Sequence, residues 1–206
     1  MKKNLSKILS LALALCLCFC MSATAFAAEI DTSGGSGSTP VSLSSTDDGS
    51  FGGDPAATAM SVTVPTALPI AVDQNGDVNT ATNCQIVNNS YGAVRVKTVT
   101  ITAASGWKLT AFGDKSTLAS EKVDSNKLGF AMSFGNYEIV STDYSNANTQ
   151  QLITAPTAGC YMTGAGDDSN NYLTVRYGAI VTPMSSAVTN ATVASVVFVI
   201  EWDTAA

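Results

Sequence analysis

The sequence predicts an all-β fold, a single β-sandwich of roughly nine to ten strands, from three observations. Short runs of alternating apolar and polar side chains recur along residues 57–206, which is the period of a strand with one buried face. Clusters of Gly, Asn, Ser, Asp and Pro separate these runs and indicate turns. Sustained helical periodicity with caps is missing, and the nearest approach to it, residues 116–127, is short and polar.

One strand changes parity halfway along its length. Val94 and Val96 share one face, whereas Val99 and Ile101 fall on the opposite parity. One extra residue near Thr98 would return all four apolar side chains to the core, so we predict a β-bulge there. A strand buried on both faces is the alternative interpretation.

Both tryptophans of the chain are expected to pack inward. Trp107 opens a strand in which Trp107, Leu109 and Ala111 can face the core. Trp202 closes the final strand, where we expect it to be buried. That strand has apolar side chains on both faces, which predicts a central position in its sheet. Its two apolar sets are Val196, Phe198, Ile200 and Trp202 on one face and Val197 and Val199 on the other.

The first 56 residues are not expected to belong to the fold. Residues 1–27 combine three lysines, an apolar run too short to span a bilayer comfortably, and the Ala-Phe-Ala of residues 25–27, which is typical of a signal peptide cleaved after that site. Residues 28–56 are rich in Gly, Ser, Thr and Asp and predict a flexible linker. The β domain is then 57–206, in an extracellular protein that is secreted or cell-wall associated and has no membrane segment after cleavage.

The net charge of the chain restricts the classes of binding partner. The full chain has 10 basic and 16 acidic residues, and the leader contains three of the basic ones and none of the acidic ones, so the remainder has 7 against 16, a net charge of −9. An acidic surface without basic clusters argues against nucleic acid and anionic lipid as partners. The polar N-terminal arm and the lack of an anchor leave self-association open.

The composition also argues against an enzyme. The chain contains no His, which removes the Ser-His-Asp triad, the Cys-His pair and His-ligated zinc. Charged residues make up 13% of the sequence, and no pair of carboxylates stands in an apolar context. We therefore predict a protein without catalytic residues or cofactors.

An acidic turn resembles the start of a calcium loop. Asp73, Asn75 and Asp77 supply oxygen atoms at positions 1, 3 and 5 of such a loop. The pattern then departs, with Val78 where Gly belongs and Cys84 where the bidentate Glu belongs. Because Asn-Gly is also the strongest hairpin signal in the chain, we interpret the segment as a hairpin turn and predict no metal.

Two cysteines follow the leader, Cys84 and Cys160. In an exported protein such a pair permits a disulfide. Cys84 shares its parity with Ile86, however, and small buried thiols are common in cores. The sequence allows either state.

Two segments resemble the WxL domain of Gram-positive cell surfaces. Residues 106–109, Gly-Trp-Lys-Leu, are similar to its internal Trp-x-Leu element, and the terminal run VVFVIEW is similar to its closing Trp strand. The opening run VTVPTALPIAVDQNG resembles small secreted proteins of Firmicutes. Trp202 is followed by Asp203, so a second Trp-x-Leu is not intact. The resemblance implies a β-rich module that attaches non-covalently to peptidoglycan.

Two functions follow as hypotheses. The first is a secreted cell-surface module that binds the cell wall or another glycan, with Trp107 and Tyr91 as candidate binding residues. The second is a structural subunit of a surface fibre that assembles by strand exchange, since a polar arm and a Thr/Val-rich chain suit β-augmentation.

Overall fold

The computed structural model describes residues 56–145, 147–167 and 169–204, together with a few isolated positions before residue 56. The predicted signal peptide therefore lies outside the described residues, as does most of the predicted linker. The chain separates into two compact units, Met1–Ala56 and Ala57–Ala206, and the fold below is that of the second unit. In the part of the chain that is described, no helix has the length and apolar character needed to cross a membrane.

The described residues form twelve strands, one short α-helix and one 3-10 turn. The strands are β1 (Val62–Thr63), β2 (Ile70–Val72), β3 (Val78–Thr80), β4 (Gln85–Asn88), β5 (Val94–Ala103), β6 (Lys108–Thr110), β7 (Lys127–Phe134), β8 (Val140–Ser141), β9 (Thr149–Ile153), β10 (Tyr161–Met162), β11 (Tyr172–Val181) and β12 (Ala194–Trp202). The helix α1 is Ser116–Ala119, and the 3-10 turn is Ala158–Cys160. The predicted all-β class is confirmed.

The strands form two main sheets and a separate hairpin. Sheet A has six strands in the order β1-β4-β11-β7-β6, with β8 also paired to β7. Sheet B has four strands in the order β10-β5-β12, with β9 also paired to β5. The hairpin consists of β2 and β3. The pairings are antiparallel except for β6 with β7, which are parallel and are joined through α1.

The inward side chains of both sheets belong to one hydrophobic cluster. From sheet B, Val96 and Ile101 of β5 are fully buried, and from sheet A so are Ile86 of β4 and Val175 of β11. Burying a side chain of this size stabilises the fold by about 1.5–3 kcal/mol, so this shared core is the main stabilising contact between the sheets. The shared core shows that both sheets contribute to one cluster, and their packing as a β-sandwich stays a prediction.

The predicted bulge near Thr98 is confirmed. Thr98 pairs with Val199 and Val96 pairs with Ile200, so Lys97 is the extra residue of β5. The bulge lets the apolar side chains before and after it point to the same side, and all of them are fully buried. The parity change in the sequence therefore reflects a β-bulge within a strand that has one buried face.

The predicted central position of the last strand is wrong. β12 pairs with β5 alone among the described residues, and therefore stands at an edge of sheet B. Its burial alternates, and Val197 and Val199 are 53% and 42% exposed. Apolar residues on both faces suggested burial on both sides, whereas in the structure the outward valines pack beside the threonines of β5 and remain accessible to solvent.

The two tryptophans are less buried than expected. Trp202 is half-buried and lies against Gly92, where a Cβ would stand 3.0 Å from its Cζ3 atom. Trp107 precedes β6 and is also half-buried, whereas Leu109 within that strand is fully buried. Both tryptophans are partly buried and pack against the hydrophobic core.

A buried asparagine ties the end of β4 to a distant loop. The Asn88 amide nitrogen donates to the carbonyl oxygens of Gly92 at 2.9 Å and of Thr163 at 2.7 Å, and its side-chain oxygen accepts from the Ser90 N–H at 2.9 Å. Asn88 is fully buried, so these bonds replace the water that its amide has lost. The side chain thus fixes the turn between β4 and β5 against the segment that follows β10.

Candidate binding groove

A groove lies on the face of sheet A that points away from the core. Its floor is made of small side chains at the outward positions of β7 and β11. Ala131 pairs with Gly178, and Ser133 is the next outward residue of β7. Because Ala131, Ser133 and Gly178 have small side chains or none, the surface is sunken at these three positions.

Larger side chains form the walls of the groove. Phe112, which follows β6, reaches across the sheet so that a Cβ on Gly178 would stand 3.4 Å from its Cζ atom. Tyr137 and Ile139, from the loop between β7 and β8, are 56% and 69% exposed and line the groove as well. Exposed apolar side chains around a concavity are typical of a surface that contacts a ligand.

A polar pair completes the lining. Arg176 points outward from β11, and its Nη1 donates to the Oδ1 of Asn136 at 2.9 Å. Among the described residues that line the groove, Arg176 is the charged one. The groove therefore offers a local positive charge on a chain that is acidic overall.

The chain holds Tyr137 in a fixed place. The turn after β7 contains Gly135 at φ 61°, a left-handed conformation that favours glycine, and the Tyr137 N–H donates to Phe134 O at 3.2 Å. One side of the ring lies on Gly159 of the 3-10 turn, where a Cβ would stand 2.6 Å from the ring. The ring is thus supported from below and presents its remaining surface to the groove, as a preformed site requires.

The groove has a volume of about 420 Å³, within the range of small-molecule sites. Its lining combines aromatic surface, a guanidinium group and a side-chain amide. Such a set can stack on an apolar ring face while it donates hydrogen bonds to hydroxyl or carboxylate groups at the edge of that ring.

The binding residues suggested by the sequence do not meet at this groove. Tyr91, in the turn before β5, is 90% exposed, and Trp107 is half-buried after the end of β5. The ten residues of β5 lie between them, which corresponds to roughly 30 Å along the strand. Neither residue lines the groove, and the structure does not bring them together.

The acidic turn is a hairpin connection. The Asn75-Gly76 turn joins β2 and β3, which confirms the predicted hairpin. The Asp73 carboxylate accepts from the backbone N–H groups of Asn75 and Asp77 at 2.8 and 2.9 Å, and the bond from Asp77 is the main cause of its lowered pKa. The Asp77 carboxylate pairs with the ammonium group of Lys115. The carboxylate groups of Asp73 and Asp77 are therefore engaged in contacts within the protein.

Cys84 and Cys160 are buried, free thiols in the structure. Cys84 precedes β4 and its carbonyl accepts from Val175 of sheet A, whereas Cys160 ends the 3-10 turn beside sheet B. Each sulfur has its own polar neighbour, Ala67 O at 4.0 Å for Cys84 and Thr157 Oγ1 at 3.5 Å for Cys160. The structure thus corresponds to the second of the two states that the sequence allows.

We expect two thiols per chain to react with a thiol reagent in denaturant, and neither to react rapidly in the native protein. Burial keeps the reagent away from both sulfur atoms until the chain unfolds. Prior reduction serves as the control and should leave the count unchanged. A count that rises from zero to two on reduction would show a disulfide instead.

A second polar cluster lies at the end of sheet B. Glu201 of β12 binds Arg95 and Lys97 of β5, each at 2.8 Å, and Arg95 also reaches Asp203 at 3.4 Å. Lys97 and then Arg95 lower the pKa of Glu201 below its ordinary value of 4.5. The charges balance within the cluster, and the β5 bulge allows both cations to reach one carboxylate. We assign it a structural role.

This cluster predicts an acid-sensitive contribution to stability. Because the folded pKa of Glu201 lies below its unfolded value of 4.5, the contribution is complete above that value and is lost as the pH falls through the folded pKa. As the pH falls from about 5 to about 3, the free energy of unfolding should therefore decrease less for Glu201→Gln than for the native chain. Urea unfolding at a series of pH values measures this, and Glu138→Gln at an exposed position is the matched control. Parallel profiles for Glu201→Gln and the native chain would contradict it.

The groove could not be found from local sequence signals. Its lining comes from three separate segments, one after β6, one in β7 and the loop that follows it, and one in β11. The one usable signal is the run of small residues at alternate positions of β7, Gly129, Ala131 and Ser133, which marks a sunken surface once Gly178 of β11 is known to pair with Ala131.

The chain was compared with protein-family models, curated proteins and solved structures, and it matches none of them. The resemblance to the WxL domain therefore stays an interpretation of residues 106–109 and of the last strand.

Proposed function

We propose that this is a secreted Gram-positive cell-surface protein whose β domain binds a cell-wall glycan without covalent attachment. The observation that carries the proposal is the groove between β7 and β11, with its aromatic walls and its Arg176–Asn136 pair. The leader-like N-terminus and the WxL-like segments support the location. We place the protein among binding modules rather than enzymes, and we assign it no cofactor.

The chemistry of the groove suits a sugar chain. A pyranose ring has a face of C–H groups and an edge of hydroxyl groups. Phe112 and Tyr137 offer aromatic surface for the face, while Arg176 and Asn136 offer donors and an acceptor for the edge. Peptidoglycan also carries carboxylate groups, which a guanidinium group binds well.

The overall charge sets a limit on how binding can occur. A net charge of −9 after leader removal opposes long-range attraction to anionic wall polymers. Binding therefore depends on short-range stacking and hydrogen bonds, which salt screens little. We expect retention on the wall to persist from low to physiological salt.

Sedimentation with purified peptidoglycan sacculi tests the proposal. The mature protein should sediment with the sacculi, and soluble glycan fragments of peptidoglycan should release it. Tyr137→Ala removes an aromatic wall and should weaken binding about tenfold, which corresponds to about 1.4 kcal/mol. Arg176→Gln should weaken it by a similar factor, because the amide keeps polarity but loses the charge.

Tyr144→Ala is the matched control for the aromatic change, because Tyr144 is 77% exposed and does not line the groove. It should bind as the native protein does. A native protein that stays in the supernatant at both salt concentrations would sink wall binding. Equal losses in Tyr137→Ala and Tyr144→Ala would sink the groove as the site.

A structural subunit of a surface fibre is the second candidate. The exposed outer edge of β12 favours it, since an open strand is what assembly by strand pairing needs. Polymers that grow with protein concentration, without any retention on sacculi, would favour this function over glycan binding.

A further inference from the structure

The outer edge of β12 is built to pair with another strand. The Val193 carbonyl accepts from Ala104 at 2.9 Å and the Asp203 N–H donates to Ala93 at 3.0 Å, so odd-numbered residues of β12 point their backbone groups to β5. The even-numbered residues from Ala194 to Trp202 therefore point their backbone N–H and C=O groups away from β5, to the open edge. No described strand pairs with these groups.

This edge lacks the features that natural proteins use to block pairing. Residues 194–200 contain no charged residue and no proline. The bulge that disturbs the register lies in β5 and leaves the alternation of β12 intact. Edges that are meant to stay open are usually short, charged or bulged, whereas this one is nine residues long, or roughly 30 Å.

We propose that β12 pairs with β12 of a second copy of this chain, antiparallel about a two-fold axis at Phe198. In this register Val197 of one copy lies opposite Val199 of the other, and Phe198 lies opposite itself. The backbone N–H and C=O groups of the five even-numbered residues in each strand then find partners, which gives up to about ten backbone hydrogen bonds. The proposal is independent of glycan binding in the groove.

Side-chain chemistry supports a second copy as the occupant. The two-fold axis brings four exposed valines together on the outer face of the joined sheet, which removes apolar surface from water. Glu201 comes opposite Ser195 of the other copy and not opposite a like charge. The charge of Glu201 is balanced locally by Arg95 and Lys97.

Charge variants at the two valines test both the pairing and its register. Val197 and Val199 point to solvent in the single chain, so the fold tolerates polar replacements there. V197K/V199K places Lys opposite Lys twice and should make the protein monomeric while it stays folded, with a melting temperature that no longer depends on protein concentration. V197K/V199E places Lys opposite Glu twice in the proposed register and should remain a dimer. A register shifted by two residues would place Lys opposite Lys in one direction and Glu opposite Glu in the other.

Sedimentation equilibrium of the mature protein over a range of concentrations measures the assembly state. The native protein and V197K/V199E should be dimers, and V197K/V199K should be a monomer. Hydrogen exchange of the native protein gives a measurement without variants. The amides of Val196, Phe198 and Ile200 should exchange slowly at high concentration and faster on dilution, while the Val197 amide should not respond.

A native protein that is monomeric at all concentrations would overturn the proposal, as would amides at these positions that exchange independently of concentration. Open-ended polymers would overturn the two-fold register, because that pairing is closed at two copies. A V197K/V199K protein that is folded and still dimeric would place the interface elsewhere.

Discussion

Asn88→Asp is expected to lower the free energy of unfolding by about 3–5 kcal/mol at neutral pH. The native amide donates to the carbonyl oxygens of Gly92 and Thr163 from a fully buried position. A carboxylate is nearly identical in shape but can only accept, so the oxygen that replaces the amide nitrogen would face both carbonyl oxygens and a charge would be buried. Urea or thermal unfolding at neutral pH measures the loss.

The neighbouring residue offers a matched control. Asn89→Asp makes the same chemical change at an exposed side chain, whose Nδ2 donates to Thr63 Oγ1 at 3.1 Å. It should cost less than about 1 kcal/mol, as surface substitutions usually do. The Asn88→Asp deficit should also shrink in acid, because burial raises the pKa of the new carboxyl group and protonation restores one donor. Equal losses at the two positions would contradict the role given to Asn88.

Ile101→Ala is expected to cost about 2–5 kcal/mol, the usual range for truncating a buried aliphatic side chain. Ile101 is fully buried in β5, where β12 pairs on one side and β9 on the other. Neighbours from two strands hold its surroundings in place, so the cavity cannot collapse and the cost should lie in the upper half of the range. Denaturant unfolding gives the value.

Thr100→Ala, on the opposite face of the same strand, controls for the change in β propensity. It should cost about 1 kcal/mol or less. If the two variants unfolded at the same denaturant concentration, the assignment of the two faces of β5 would be wrong.

The longer elements could be predicted from the sequence because alternation needs several residues to show. The parity change between Val96 and Val99 located the bulge correctly, since a one-residue slip would expose an entire apolar set. The strand β10 has only two residues, which is too few for a period of two to be visible. The structure has twelve strands where roughly nine to ten were expected.

Position within a sheet could not be predicted in the same way. Apolar residues on both faces of the last strand predict burial on both sides, yet Val197 and Val199 are exposed at an edge. The groove was equally invisible, because Phe112 and Arg176 meet only after β7 and β11 have paired. Local patterns report which residues face the same way, whereas sites and edges depend on which strands become neighbours.

The pairing of β5 with β12 also bears on when the protein can fold. Val94 pairs with Trp202 and Ala103 with Ala194, so β5, the central strand of sheet B, cannot complete its pairing until β12 is present. Contacts between such distant segments form slowly, because a long loop has to close before any of them is made. A chain still emerging from a membrane channel cannot complete this sheet until its last strand has crossed. For the secretion route that we propose, the order of the strands delays completion of sheet B until β12 has crossed the membrane.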